Sequence, residues 1–396
     1  MSARRVVIVG AGHAGFHTAC FLRSGGWTGG ITLIDSAPGM PYQRPPLSKD
    51  FLWGKQELED GIFRPSSYFF DNQIDLIVGR RVLSIDRGLK SLVLEGKFVV
   101  EYEHLVIATG SSPRALSVPG ANLDGVVSLS TSADAVVLRE YVEQARAVVV
   151  VGGGFIGLEV ASMVVSSGKR AVVLEAADRI MGRALTRRMS EYFERVHRNS
   201  GVDLQLATGV SAIEGVAGVV CSVVTTSEER HEADLVVVGI GSSANDCVAA
   251  DSGLATDRGV LVDTHLRCSD PTVFAIGDCA RFPFDRGRGV EMIRLESVQN
   301  ATDQARYVAQ QICGESTEPY VAVPWFWTEQ FGRKLQIAGL VDGFDRIEED
   351  ARDPDSFSLS CYSGDTLLGV ESVNAPRDHI RARRQLHDLL AVGNLH

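Results

Sequence analysis

Residues 148–159 read VVVVGGGFIGLE, and residues 5–15 carry a string of the same construction, RVVIVGAGHAG. A β-branched run that ends in a Gly-rich turn and passes into an apolar stretch predicts a strand, a tight turn and a helix. Each copy is followed by a second strand that ends in an acid: ITLID closes at Asp35 and AVVLE at Glu175. A strand, a crossover helix and a parallel strand make one βαβ unit, so two such units predict an α/β protein with doubly wound parallel sheets.

Gly10, Gly12 and Gly15 fit G-x-G-x-x-G, as do Gly152, Gly154 and Gly157. In this pattern the first glycine makes the turn, the second lets the backbone approach a pyrophosphate, and the third lets helix pack on strand. The helix N-terminus, with roughly half a positive charge, then faces the diphosphate. Asp35 follows the first turn at about the ~20-residue spacing expected of the acid that binds a ribose. Glu175 in the second unit accepts from a ribose 2′-hydroxyl and repels a 2′-phosphate, which favours NADH. Arg179 and Arg183 lie close by in sequence and offer charges suited to NADPH, so that alternative stays open.

Further buried-strand candidates are LVIAT (105–109), ADLVVVGIG (233–241) and TVFAIGD (272–278), with a helix from about Arg294 to Cys313. From Pro319 onward, alternating stretches such as KLQIAGL and SFSLSCY suit antiparallel strands. The expected organisation is one Rossmann-like dinucleotide-binding domain inserted in another. Residues 1–112 and 241–318 form the first, 113–240 the second, and 319–396 a small α+β C-terminal domain.

Composition narrows the function. The 396 residues are 45% hydrophobic and 22% charged, with a formal charge of −11, which argues against a nucleic-acid binder because such proteins need basic surface. Residues 6–22 lack Lys, Arg, Asp and Glu, but Gly10, Gly12, Gly15, His13, His17 and Thr18 break the run where a strand-turn-helix needs them. Neither export nor a membrane span is expected. The seven cysteines form no close pair and are odd in number, which suits reduced thiols in a cytoplasm. His13 and His17 lack a third ligand, so no metal site is expected.

VFAIGDCARF at 273–282 adds the strand-ending Gly-Asp pair, and here the chain resembles the flavoproteins with two dinucleotide-binding domains. Within that group it is similar to the NADH-dependent ferredoxin reductases of bacterial P450 and ring-hydroxylating dioxygenase systems, the putidaredoxin reductase type. The motifs that carry the likeness are RPPLSK (44–49), GGGFIGLE (152–159), GDCARF (277–282), RLESVQNA (294–301) and PWFWTEQF (324–331). The resemblance implies FAD at the first fingerprint and NADH at the second. It gives Asp278 the ribityl chain, Val82 and Val298 backbone contacts to FAD, and Trp327 the covering of the flavin region. Ala14, Arg44, Thr109 and Gly110 are implied around FAD, and Ile156 and Gly241 around NAD. Lys49 is implied near flavin N5, paired with Glu159, which also helps to position the nicotinamide. A cation there stabilises reduced flavin, and a carboxylate offsets the cost of burying the lysine. Ser130 departs from the pattern, since the related reductases carry an arginine there that contributes to FAD binding.

Relatives that reduce disulfides or peroxides place a redox cysteine beside the flavin, yet no cysteine lies between Cys20 and Cys221. The resemblance gives Cys279 no redox role, and it reads as a packing residue. A flavin takes a hydride's two electrons together and can release them singly to an outside acceptor. The expected partner is a [2Fe–2S] ferredoxin that feeds a terminal oxygenase. Such partners are commonly acidic, so Arg64 and Arg306 are candidates for docking. Two alternatives are a rubredoxin reductase and a non-catalytic NADH-binding flavoprotein like the apoptosis-inducing-factor relatives.

Overall fold

The computed structural model describes residues 4–285, 289–315 and 318–393. The first valine run forms β1 (Arg5–Val9), and the chain crosses over through α1 (His13–Ser24) to β2 (Gly30–Ile34), which lies parallel to it. β3 (Ile74–Ile77) and β4 (His104–Ile107) flank this pair. Val6, Val7, Ile8, Leu33 and Leu105 are fully buried, as expected for a parallel sheet covered on both faces.

The chain then builds a second parallel sheet from β5 (Val126–Ser128), β6 (Ala147–Val151), β7 (Arg170–Leu174), β8 (Asp203–Gln205) and β9 (Leu235–Val238), in the order β8-β7-β6-β9-β5. α2 (Phe155–Ser166) is its crossover helix, and α3 (Arg187–Asn199) follows β7. β10 (Val273–Ala275) returns to the first sheet, where Val273, Phe274 and Ala275 pair with Leu105, Val106 and Ile107. The first sheet, ordered β10-β4-β1-β2-β3, is therefore discontinuous in sequence. Both crossings between the sheets run side by side: residues 111–113 pair antiparallel with 242–244. Thr109 Oγ1 donates to Asn245 O at 2.6 Å and Asn245 Nδ2 donates to Thr109 O at 3.0 Å, which ties the crossings together.

The last helix of the first unit, α4 (Val298–Cys313), starts later than the sequence predicts. Residues Val290–Ile293 are a strand, and Ser297 stops the helix from extending backward because its Oγ accepts from Asn300 N at 3.0 Å. Three small sheets have no counterpart in the sequence reading: two antiparallel, within 82–101 and 210–232, and one mixed, within 260–293. They mix buried residues such as Leu92, Leu94 and Val223 with exposed ones such as Leu83, Val99 and Val216, so no continuous buried run marks them.

The C-terminal segment is a five-stranded antiparallel sheet: β11 (Trp325–Gln330), β12 (Arg333–Gly339), β13 (Arg346–Asp353), β14 (Ser356–Ser363) and β15 (Thr366–Val373), in the order β11-β12-β15-β14-β13. α5 (Pro376–Gly393) packs on β12 and β15. Leu335, Ile337, Phe357, Leu359 and Val373 share one core with Val148, Leu158 and Val160, so this sheet is fixed to the second parallel sheet rather than tethered beside it. A buried polar contact reinforces the joint. Glu371 accepts from Thr186 N at 2.7 Å and from Thr186 Oγ1 at 2.6 Å, and burial pushes its carboxyl up to about 7. Among the described residues no helix is long and apolar enough to cross a membrane.

Candidate functional site

The carboxyl ends of β1 and β6 open into one continuous cleft of about 2390 Å³. An ordinary ligand pocket holds roughly 300–1,000 Å³, so this space suits more than one dinucleotide-sized ligand. Both fingerprints line it.

The two turns are built alike. Gly10 has φ +102° and Gly152 φ +106°, backbone that an L side chain rarely adopts. A β-carbon on Gly15 would fall 1.8 Å from Gly10 O, and one on Gly157 would fall 2.4 Å from Gly152 O. These third glycines lie outside the cleft lining and serve helix packing, so their part in binding is indirect. A β-carbon on Gly12 would meet nothing within 4 Å, and one on Gly154 would come no nearer than 3.7 Å to Gly239 O. The open space stands at the N-termini of α1 and α2, where no side chain caps the helix and the first turn holds no acid. Uncapped N–H groups facing a cradle that a side chain would fill suit a pyrophosphate in each turn.

The acids repeat as well. Asp35 accepts from Ala11 N at 2.7 Å and Ala37 N at 2.8 Å; Glu175 accepts from Gly153 N at 2.6 Å and Ala177 N at 2.8 Å. Each carboxylate is held by the backbone on both oxygens and still borders the cleft. Arg179 Nη1 and Nη2 donate to Leu185 O and Gly182 O at 3.0 and 2.6 Å, so this guanidinium is committed to its own loop. A β-carbon on Gly241 would sit 2.9 Å from Arg183 Nη2, which places that cation across the mouth of the second turn.

Asp278 projects into the first half of the cleft from the turn after β10. Burial, with Glu296 nearby, pushes its carboxyl up to about 6, and Ser111 Oγ donates to it at 3.2 Å. Arg294 Nη1 donates to the Asp278 carbonyl at 2.9 Å. Cys279 is fully buried, its thiol directed at Ile107 O and Ile276 O, and all seven cysteines are free.

Lys49 and Glu159 meet between the fingerprints. Lys49 Nζ lies 2.7 Å from Glu159 Oε1, with side-chain exposures of 27% and 5%. RPPLSK forms a short 3₁₀ turn over residues 45–48, started by paired prolines, and this turn delivers Lys49 to Glu159 on α2. Ser48 Oγ donates to Glu159 Oε2 at 2.7 Å and Thr328 Oγ1 to Oε1 at 2.7 Å. Neither Ser48 nor Thr328 stood out in the sequence reading, although each lies inside a motif that was singled out.

Arg44, Val82, Thr109, Gly110, Val298 and Trp327 all border the same cleft, as do Ala14 and Ile156. Arg44 Nη1 donates to Ser130 O at 3.1 Å and Ser130 Oγ at 3.2 Å, so an arginine reaches position 130 from the other unit. Arg64 and Arg306 lie outside the cleft and flank His17, whose pKa is lowered by burial and by both guanidinium groups. Arg306 stacks over Phe21 at 4.5 Å and Arg64 over Tyr68 at 5.7 Å. His13 and His17 belong to an aromatic cluster with Phe16 and Phe63. Among the described residues no three His, Cys, Asp or Glu side chains gather as a metal requires.

Comparison with known proteins agrees with this geometry. Residues 4–305 match the model of the pyridine nucleotide-disulphide oxidoreductase family, and residues 325–393 match that of the reductase C-terminal domain. The chain is 47% identical to rhodocoxin reductase of Rhodococcus erythropolis over 96% of this chain and 89% of that one. The ferredoxin reductase for the CYP199A2 system from Rhodopseudomonas palustris superposes with a TM-score of 0.92 at 43% identity, covering 95% of this chain and 92% of that structure. A covalent putidaredoxin reductase–putidaredoxin complex gives a TM-score of 0.92 at 35% identity, covering 97% of this chain and 93% of that structure. Paired fingerprints, a shared cleft and these matches together make the chain a member of the pyridine nucleotide-disulphide oxidoreductase family.

Proposed function

We propose that the protein is an FAD-dependent NADH:ferredoxin oxidoreductase, whose [2Fe–2S] ferredoxin serves a P450 or aromatic-ring dioxygenase. The observation that carries this reading is the Lys49–Glu159 pair between two pyrophosphate cradles, in a cleft where, among the described residues, the single lining cysteine is Cys247, a free thiol with no second cysteine beside it in the lining. FAD belongs to residues 1–112 and 241–318, NADH to residues 113–240, and residues 319–396 cover the flavin region. A bound flavin supplies the chemistry that turns a two-electron donor into a source of single electrons.

The residues around it do the rest. Gly10, Gly12, Ala14 and the α1 N-terminus would hold the FAD diphosphate, Asp35 its ribose and Asp278 its ribityl chain, with Arg44, Val82, Thr109, Gly110 and Val298 contributing to the same site. Gly152, Gly154, Ile156 and the α2 N-terminus would hold the NADH diphosphate, and Glu175 its adenine ribose, with Gly241 contributing. Lys49 would supply a positive charge that stabilises a reduced flavin, and Glu159 keeps that charge in place. Trp327 shields the same region from water. The reductases compared above are named for iron–sulfur partners, and seven free thiols suit a reducing compartment, so we assign the protein to the cytoplasm.

An acidic ferredoxin needs a positive landing area on a protein of net charge −11, and Arg64 and Arg306 supply one around His17. Arg64→Glu/Arg306→Glu is expected to slow ferredoxin-dependent NADH oxidation by about 10-fold at low salt, with the deficit shrinking as ionic strength screens the pair. Flavin reduction by NADH alone stays at its original rate. Equal turnover of variant and parent with ferredoxin at low salt removes this face from the account, and faster turnover with a rubredoxin replaces the acceptor.

A further inference from the structure

Glu159 is 6% exposed, yet it lies at the end of a line of buried hydrogen bonds that reaches it from the C-terminal sheet and from α3. His197, fully buried in the last turn of α3, has Nε2 2.8 Å from Gln330 Oε1. Gln330 Nε2 donates to Thr328 Oγ1 at 3.2 Å, and Thr328 Oγ1 donates to Glu159 Oε1 at 2.7 Å. Thr328 and Gln330 are two apart on β11, so both point to the same face, toward α2 and α3. Thr328 and Gln330 are 0% and 1% exposed, and neither lines the cleft.

The chemistry allows the line to run in one direction. The Glu159 carboxylate, paired with Lys49, can only accept, so the Thr328 hydroxyl gives its proton to it. The threonine oxygen then accepts from the Gln330 NH₂, the amide carbonyl faces His197, and Nε2 must carry the proton that this carbonyl accepts. Successive donors polarise one another in a low-dielectric interior, so the last bond, to the charged group, is the strengthened one. His197 stays neutral because burial lowers its pKa to about 4, and Phe331 closes it in at 5.0 Å between ring centroids.

We propose that Thr328, held in orientation by Gln330 and His197, is the positioning residue that fixes the Glu159 carboxylate as the partner of Lys49. The C-terminal sheet then does more than cover the cleft: it orients the carboxylate that anchors the cation. This rests on the reading that Lys49 faces the flavin. The charged or titratable groups that meet Glu159 are Lys49 directly and His197 through Gln330; Glu329, between the two β11 residues, is exposed.

The test uses the FAD-loaded protein. Thr328→Val keeps the shape of the side chain and removes the donor; Thr328→Ser restores it. Losing one hydrogen bond to a charged group corresponds to about a 10-fold effect. Flavin reduction by NADH is therefore expected to slow by about 10-fold in Thr328→Val and to recover in Thr328→Ser, and the absorbance spectrum of the bound flavin, which reports the charge beside it, changes and returns with it. If the valine variant does not fold, Gln330→Met frees the hydroxyl to turn away and carries the same prediction with a smaller effect. A valine or methionine variant with the parent's flavin spectrum and reduction rate overturns the proposal. Lys49→Met separates the two failures: if it leaves flavin reduction unchanged, the underlying reading of Lys49 falls, whereas a slow Lys49→Met beside an unaltered Thr328→Val removes only the positioning role.

Discussion

Gly12→Val is expected to give a folded, colourless protein, and Gly154→Val a yellow one that NADH cannot reduce. The two substitutions are chosen because the backbone tolerates them. Gly12 has φ −68° and ψ −168°, and Gly154 has φ −82° and ψ 177°, extended conformations open to valine. Nothing stands within 4 Å of a β-carbon at Gly12, and the nearest atom at Gly154 is 3.7 Å away. The side chain would instead fill the space in which a diphosphate meets the helix N-terminus. Losing two charge-assisted bonds to that group costs roughly 3–6 kcal/mol, or at least about 100-fold in affinity. Neighbouring Gly10 makes the contrasting case: its φ is +102° and a β-carbon would lie 2.2 Å from Ala108 O, so substitution there damages the fold before it reports on binding. Flavin-to-protein ratio and NADH binding, measured on both variants beside their circular dichroism, check the assignment. A Gly12→Val protein that retains one flavin per chain would falsify the placement of FAD in the first unit.

Lys49→Met is expected to slow flavin reduction by NADH roughly 100-fold in anaerobic stopped-flow, the scale on which removing one preorganised electrostatic contact acts. The methionine keeps the length of the side chain and removes the charge. It also leaves Glu159 buried without its cation, and breaking such a pair is strongly destabilising. The double variant Lys49→Met/Glu159→Gln removes that burden, so it should recover stability relative to the single variant while remaining slow. This split matters, because recovery of stability without recovery of rate identifies the charge, not the fold around it, as the contribution to catalysis. A Lys49→Met rate within about threefold of the parent is too small for such a contact and contradicts the role.

Much of this was legible in the sequence because parallel strands bury both faces and leave a continuous apolar run. VVIV at 6–9 and VVVV at 148–151 read as strands for that reason, and the glycines after them mark the turn. The return of β10 to β4 was legible only through the order of motifs, since nothing in TVFAIGD names its neighbour. The residues around Glu159 were harder to find. Ser48 and Thr328 come from segments 280 positions apart, His197 carries no spacing signal, and their meeting depends on how the C-terminal sheet docks onto α2. Ser130 shows the opposite case. Its departure from the related reductases is visible in sequence, whereas the structure shows Arg44 reaching across to it.

The central claim is that electrons leave the flavin for an external acceptor with no sulfur in between, and an anaerobic titration of the FAD-loaded protein with NADH tests it most directly. One NADH per flavin is predicted to complete the bleaching, before and after alkylation of the accessible thiols. A requirement for two NADH per flavin, or loss of bleaching on alkylation, contradicts the account.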